Sequence, residues 1–524
     1  MKTAIYSMAA LWLLVACTHD IPGINGAGSG GYEGLSHEMI VLGEKLDDPY
    51  TVGNMTKALE SLYPTKAVIG TVKTTDYYVR FLPKSEHQCE MLEEMGVVLV
   101  DHPVDYRIVR DGDYYHDPEL PDDSITWQYA VVPQGFEFPE FVQYEILDEC
   151  FIAEHDQTTK GSGIDWDAVE RESYRLTGNA AMLPPGTKGD YPPTYPKGNI
   201  SIADDEAGMA TEGVAGVRVS CNSFVKFAHS FTDENGDYKM NLSFTSDVRY
   251  RLVFKNKKGF AIGFNLLLVP ASTSTLGKGS PDGVSVVIDS NSDRKLFTRA
   301  VVNNAGYEYY TKCSEDGYRM KAPPSNLRIW LFQNLTKSCP LMMQQGALID
   351  GSFVQDYLKE YIILLKLFLP DVAIGLKDCG SFSDVYGEAI HEFAHASHYM
   401  QVGKEYWNTY LRYVLSSYVT SGGQMYGVGT EDGCGYCEVA EMWAFYMHSK
   451  MCRDRYSDDG LTYGTEYWFS PQPLLFLDDR GMDKFKLFKA FSSDVADKDA
   501  LQDRLIFLYP ENKSTINQAF NRYN

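Results

Sequence analysis

His391 and His395 stand four residues apart in the run His391-Glu392-Phe393-Ala394-His395. On a helix, side chains at that spacing lie one above the other on a single face, so two imidazoles can close on one metal ion. The pattern is H-E-x-x-H, in which the glutamate points toward the open coordination position of a hydrolytic zinc site and can take a proton from water there. Histidine is scarce in this chain, 11 in 524 residues, which makes a chance pairing of this kind uncommon.

A hydrolytic zinc site takes three protein ligands and keeps a fourth position for water. His398 follows on the same stripe, but ligands at 391, 395 and 398 would spread over about 10 Å of straight helix, too far for bonds near 2 Å. His398 is therefore set aside as a histidine that either supports the ligands from behind or packs in the core. A third histidine after a glycine turn is also missing, since none follows Gly403 until His448. The remaining source is the segment Cys437-Glu438-Val439-Ala440-Glu441-Met442-Trp443-Ala444-Phe445, where two carboxylates stand near one turn apart in apolar surroundings.

The elements that must position these groups are legible locally. A helix over residues 384–401 is predicted from apolar side chains at Ala389, Ile390, Phe393, Ala394 and Ala396, with Ser383 or Asp384 as its cap and Gly403 as its stop. Residues 371–376 read as a short strand leading in, and 438–451 as a second helix carrying the carboxylates. Further helices are expected at 353–369 and 406–418.

With His391, Glu392 and His395 on one helix and Glu441-Met442-Trp443-Ala444 on a following one, the chain resembles the gluzincin metallopeptidases, whose second helix supplies a glutamate in an E-x-x-A/S setting. The resemblance implies a zincin-like catalytic domain in which His391, His395 and Glu441 hold Zn2+ and Glu392 is the general base. Glu438 is the alternative third ligand. Many members carry an acid four residues after the ligand, where it orients a zinc-bound histidine. Phe445 occupies that place here, so an orienting partner is expected from Glu438 or a backbone carbonyl. Peptide hydrolysis also needs a donor for the oxyanion. Tyr426, in a glycine-rich loop just before the second helix, is the first choice, and Tyr436 the second.

The N-terminus reads as an address. The apolar run from Ala9 ends in Leu14-Val15-Ala16-Cys17, which resembles a bacterial lipoprotein signal: residues 1–16 removed, Cys17 lipidated. Thr18 rather than Asp follows, which implies export to the outer membrane and a place in the cell envelope. Residues 17–36 are glycine-rich and read as a flexible tether. With Lys+Arg 47 against Asp+Glu 71, the net charge of −24 argues against a nucleic-acid partner. Besides Cys17 there are nine cysteines. Cys434 and Cys437 form a lone C-x-x-C, expected as free thiols or a local disulfide rather than a zinc knuckle.

Together these features predict a multidomain α+β protein. Residues 37–190 form an N-terminal α+β domain, with strands at 77–82 and 97–100 around a helix at 85–95. A proline-rich stretch at 183–196 then marks a boundary. Residues 198–275 alternate with period two and read as an antiparallel β-sandwich. Gly216-Val217-Arg218-Val219 with Thr232-Asp233-Glu234-Asn235-Gly236-Asp237-Tyr238 resembles the carboxypeptidase-regulatory-like, transthyretin-like (Ig-type) modules, which act as spacers or adhesion units. Residues 285–524 form the mostly helical zincin-like domain. The expected partners are a peptide, protein or glycoprotein substrate and, through Cys17, a membrane. The competing expectation is a non-catalytic surface binding, glycan-capture or adhesion lipoprotein whose zinc site is structural or vestigial.

Overall fold

The computed structural model describes residues 39–523 apart from 65–70, 113, 122–123, 185–192, 209, 264–270, 334–335, 348–369, 421–423 and 425. The signal, Cys17, the tether and the helix expected at 353–369 lie outside the described residues, as does part of the proline-rich stretch. Eleven α-helices and sixteen strands are described, a mixed α+β architecture with several sheets.

In the N-terminal region the order is β1 (Val41–Lys45), α1 (Val52–Leu62), β2 (Asp76–Leu82), α2 (Glu86–Glu94), β3 (Tyr106–Arg110), β4 (Gln128–Pro133), β5 (Gln143–Cys150) and α3 (Trp166–Leu176). β2 is the centre of an antiparallel sheet ordered β4-β2-β5, and β1 pairs with β3. The strand expected at 97–100 does not form. Val97 N–H returns to the Leu92 carbonyl to close α2, and only Val100 bridges across to Tyr129.

The middle region contains β6 (Lys197–Asp204), β7 (Ala210–Gly213), β8 (Val217–Ser223), β9 (Lys226–Phe231), β10 (Asp237–Lys239), β11 (Val248–Asn256), β12 (Ala261–Ile262), β13 (Thr273–Gly279) and β14 (Val286–Ile288). Two sheets share one core, with Ile200, Ile202 and Ile288 on one side and Val219, Cys221, Tyr250 and Leu252 on the other. The first of these sheets is not wholly antiparallel, because β14 lies parallel to β6.

The last region holds α4 (Arg294–Lys312), β15 (Arg328–Phe332), β16 (Val372–Gly375), α5 (Phe382–Val402), α6 (Lys404–Thr420), α7 (Cys434–Tyr456), α8 (Gln472–Asp478), α9 (Lys484–Ala490), α10 (Lys498–Leu508) and α11 (Lys513–Arg522). A seven-stranded sheet is ordered β16-β15-β12-β11-β8-β9, with β13 also on β11. It runs across residues 275–285, where the sequence suggests a module boundary, and the apolar core is continuous from Ile200 to Phe520.

α5 begins at Ser381, not at Ser383 or Asp384. Ser381 Oγ accepts from Asp384 N–H at 3.1 Å while the Asp384 carboxylate accepts from Ser381 N–H at 3.0 Å, a reciprocal cap. The helix is seated by Phe393, whose ring packs against Phe260, Tyr309 and Tyr310. It ends at Gly403 with φ 84°. All nine cysteines after Cys17 are free thiols. Among the described residues, no helix is long and apolar enough to cross a membrane.

Candidate metal centre

α5 and α7 pack directly against each other, and Gly387 is what lets them approach. A Cβ at that position would lie 2.1 Å from His448 Nε2, so the histidine of α7 rests on bare helix backbone. The two helices run antiparallel: Gly387 meets His448, and further along His391 and His395 meet Glu441.

There the ligand atoms converge. His391 Nε2 and His395 Nε2 are 3.0 Å apart. Glu441 Oε2 lies 3.3 Å from His391 Nε2, and Glu441 Oε1 lies 3.4 Å from His395 Nε2. Three donors around a tetrahedral ion with bonds near 2.0–2.1 Å should stand roughly 3.3 Å apart, so the spacing fits a single small cation. His395 and Glu441 are fully buried, and Glu441 Oε2 has no hydrogen-bond donor among the described residues. A buried group of two histidines and a carboxylate in this arrangement could hold a metal ion.

The electrostatics suit that role. Burial alone would raise the Glu441 pKa, but the two histidines hold it far below the usual carboxylate range, so Glu441 is anionic. Burial lowers the His395 pKa against the pull of Glu441, and a lowered pKa favours the neutral ring that a metal ligand must present. Glu392 is raised well above its ordinary value, first by burial and then by Glu388 and Glu441. A divalent cation in the group would pull it the other way, toward the basic form.

Glu441 is held by a residue that the sequence reading missed. Tyr410 of α6 donates its hydroxyl to Glu441 Oε1 at 2.7 Å, and its ring packs beside His395. The histidines lack such support: neither His391 Nδ1 nor His395 Nδ1 has a partner among the described residues. Glu438, the alternative ligand and expected orienting acid, faces elsewhere. Its Oε2 accepts from Lys498 N–H at 3.2 Å and its Oε1 lies 3.8 Å from Lys498 Nζ, at the start of α10. The reason is helical phase, since three residues on an α-helix leave the side chain about 60° round from its predecessor.

Phe445 packs its ring against His391 with 4.4 Å between centroids and touches Tyr467 and Phe469 on its other side. Tyr426 packs on those same two rings. Burial raises its hydroxyl pKa, and Glu441 and Glu392 are near enough to add to the effect. Tyr436 packs at a tilt on Tyr406, which lies against His398 rather than the converging histidines. His398 is enclosed by Tyr406, Trp407 and Phe491, with its pKa lowered by burial to about 3. His448 stacks on Tyr463 and lies two turns after Glu441, on the same helix face.

No family model matches the chain, and neither a curated protein nor a solved structure is significantly similar to it.

Proposed function

We propose that this protein is a zinc-dependent peptidase, carried at the outer face of a bacterial envelope by a lipid on Cys17. The observation that supports the reading best is the convergence of His391, His395 and Glu441 on one point with Glu392 beside them on the same helix. Two imidazoles and one carboxylate are a donor set that suits zinc. Zinc held there would lower the pKa of a water to about 7.

The remaining roles belong to the chain. Glu392 takes the proton of the attacking water and returns it to the leaving amine. Tyr410 keeps the Glu441 carboxylate turned toward the histidines. Phe445, Tyr467 and Phe469 form an aromatic wall beside His391 that excludes bulk water and accepts an apolar side chain of the substrate. Tyr426, which packs on Tyr467 and Phe469 and feels the charges of Glu441 and Glu392, is the better placed of the two tyrosines for the oxyanion, and Tyr436 is assigned no role.

The decisive comparison uses the parent and Glu392→Gln with a mixed peptide library and metal analysis. Both should bind one zinc, and the variant should lose about 10²–10⁴-fold in hydrolysis. Equal cleavage by the two would refute the mechanism. One zinc per chain with no cleavage by the parent would instead favour a surface-binding lipoprotein with a structural site.

A further inference from the structure

The outer face of the seven-stranded sheet is crowded with cations. Along β11, Val248, Tyr250, Leu252 and Phe254 point into the core, which leaves Arg249, Arg251 and Lys255 on the opposite face. Arg218 of β8 shares that face as the direct partner of Val253, and Lys278 of β13 is the direct cross-strand partner of Arg249. Like charges in opposed positions repel and need compensation.

Four of the five cations find a carboxylate. Glu93 serves Lys255 and stands 3.9 Å from Arg218, Asp111 pairs with Arg249, and Asp247 lies 3.7 Å from Lys278. Arg251, between them, touches none among the described residues. It is only 8% exposed. Its Nη1 donates to Asn222 Oδ1 at 2.7 Å and its Nη2 to His102 Nε2 at 3.0 Å, two neutral acceptors. The Asp101 carboxylate is reached through the other nitrogen of His102, at 2.7 Å. Burial, helped by repulsion from Arg249, lowers the Arg251 pKa to about 10.

A guanidinium has five N–H groups, and those of Arg251 find two acceptors among the described residues. Arg251 lines a cavity of about 200 Å³ between the N-terminal region and the sheet, together with Arg249, Lys278 and Asn222. It also lines a smaller one of about 40 Å³ on its other side, shared with Arg218, whose buried Nε has no partner among the described residues. A buried charge is ordinarily paired. General attraction does not explain an anion here, because the chain as a whole carries −24.

We propose that this seam is a binding site for a small oxyanion, or for the anionic end of a small ligand, with Arg251 as its central contact. Phosphate, sulfate and carboxylate share the chemistry that a guanidinium fork recognises. Asp247 also lines the cavity, where it is paired with Lys278.

The test is calorimetric titration of the full chain with sodium phosphate, sodium sulfate and sodium acetate in turn, at an ionic strength held constant with sodium chloride. At least one of the three should bind saturably at one site per chain, and the preferred ion separates a tetrahedral oxyanion from a carboxylate. Arg251→Gln should weaken that binding by at least about tenfold, the value of a lost charged hydrogen bond, and leave the zinc content unchanged. Arg249→Gln, at a more exposed residue lining the same cavity, should weaken it as well and provides the readout if the buried substitution prevents folding. The proposal is overturned if no ion binds beyond matched chloride, or if the folded variants bind as the parent does. The seam would then be only a clamp between regions.

Discussion

Replacing Tyr410 by Phe removes one oxygen from the periphery of the metal centre and little else. The ring would keep its packing on Trp407 and His395, because those contacts involve only carbon edges and faces. What is lost is the 2.7 Å hydrogen bond to Glu441 Oε1. The carboxylate is fully buried and its other oxygen has no donor among the described residues, so no neighbour is placed to substitute. A hydrogen bond to a charged group contributes about 1.5–3 kcal/mol. At about 1.4 kcal/mol per factor of ten, metal affinity should fall about 10- to 150-fold, which overlaps the range of about 10- to 100-fold typical for groups that orient a metal ligand. Zinc competition against a chromogenic chelator at neutral pH measures this directly. The thermal shift on adding saturating zinc should shrink in step, by about 1.4 kcal/mol of metal-linked stabilisation per tenfold loss. A Tyr410→Phe variant that holds zinc as tightly as the parent would refute the claim that this hydroxyl positions Glu441.

Three further outcomes separate neighbouring residues. Glu438→Gln should keep its zinc, by elemental analysis, and lose about 1 kcal/mol of stability at the start of α10; loss of the metal would return Glu438 to the ligand set. Gly387→Ala forces a methyl into His448, and overpacking of this kind costs about 1–3 kcal/mol. A parental denaturant midpoint would contradict the close approach of α5 and α7. Asp48 is buried with its Oδ2 unpartnered, and burial, with Asp105, Asp148 and Asp47 nearby, pushes its pKa up to about 8. The folded chain therefore holds a proton that the unfolded chain releases near pH 4, so this contribution is full below pH 4 and is lost as the pH rises to about 8. Asp48→Asn should flatten that decline between pH 5 and pH 8 in thermal midpoints, and an unchanged slope would place the effect elsewhere.

What could be read beforehand was local. The helix bearing His391 and His395 announces itself through apolar spacing and Gly403, though its cap was misplaced because Asp384 serves the cap from inside the helix. Preference for Glu441 over Glu438 came from the residue three places on, and the structure brings Glu441 to the histidines through helical phase. Tyr410 could not be foreseen, since no spacing rule ties α6 to α7 across the intervening loop. The solitary position of Arg251 was equally hidden. Its alternation with Arg249 is visible in the chain, but which cations meet Glu93, Asp111 or Asp247 depends on how the N-terminal region folds over the sheet.

The sheet that crosses residues 275–285 has a consequence for how this protein can be divided. β16, which leads into the histidine helix, pairs with β15, β15 takes its other parallel partner from β12, and β12 in turn leans on β11. A chain begun at residue 285 would present β15 as a bare edge, with unpaired amides beside Ile329 and Leu331, an invitation to aggregate. The metal-bearing helices are thus not a cassette to be excised, shuffled or expressed alone. Their ordering has to wait for strands far upstream to be made and paired, which ties the birth of the site to the slowest, longest-range step of folding.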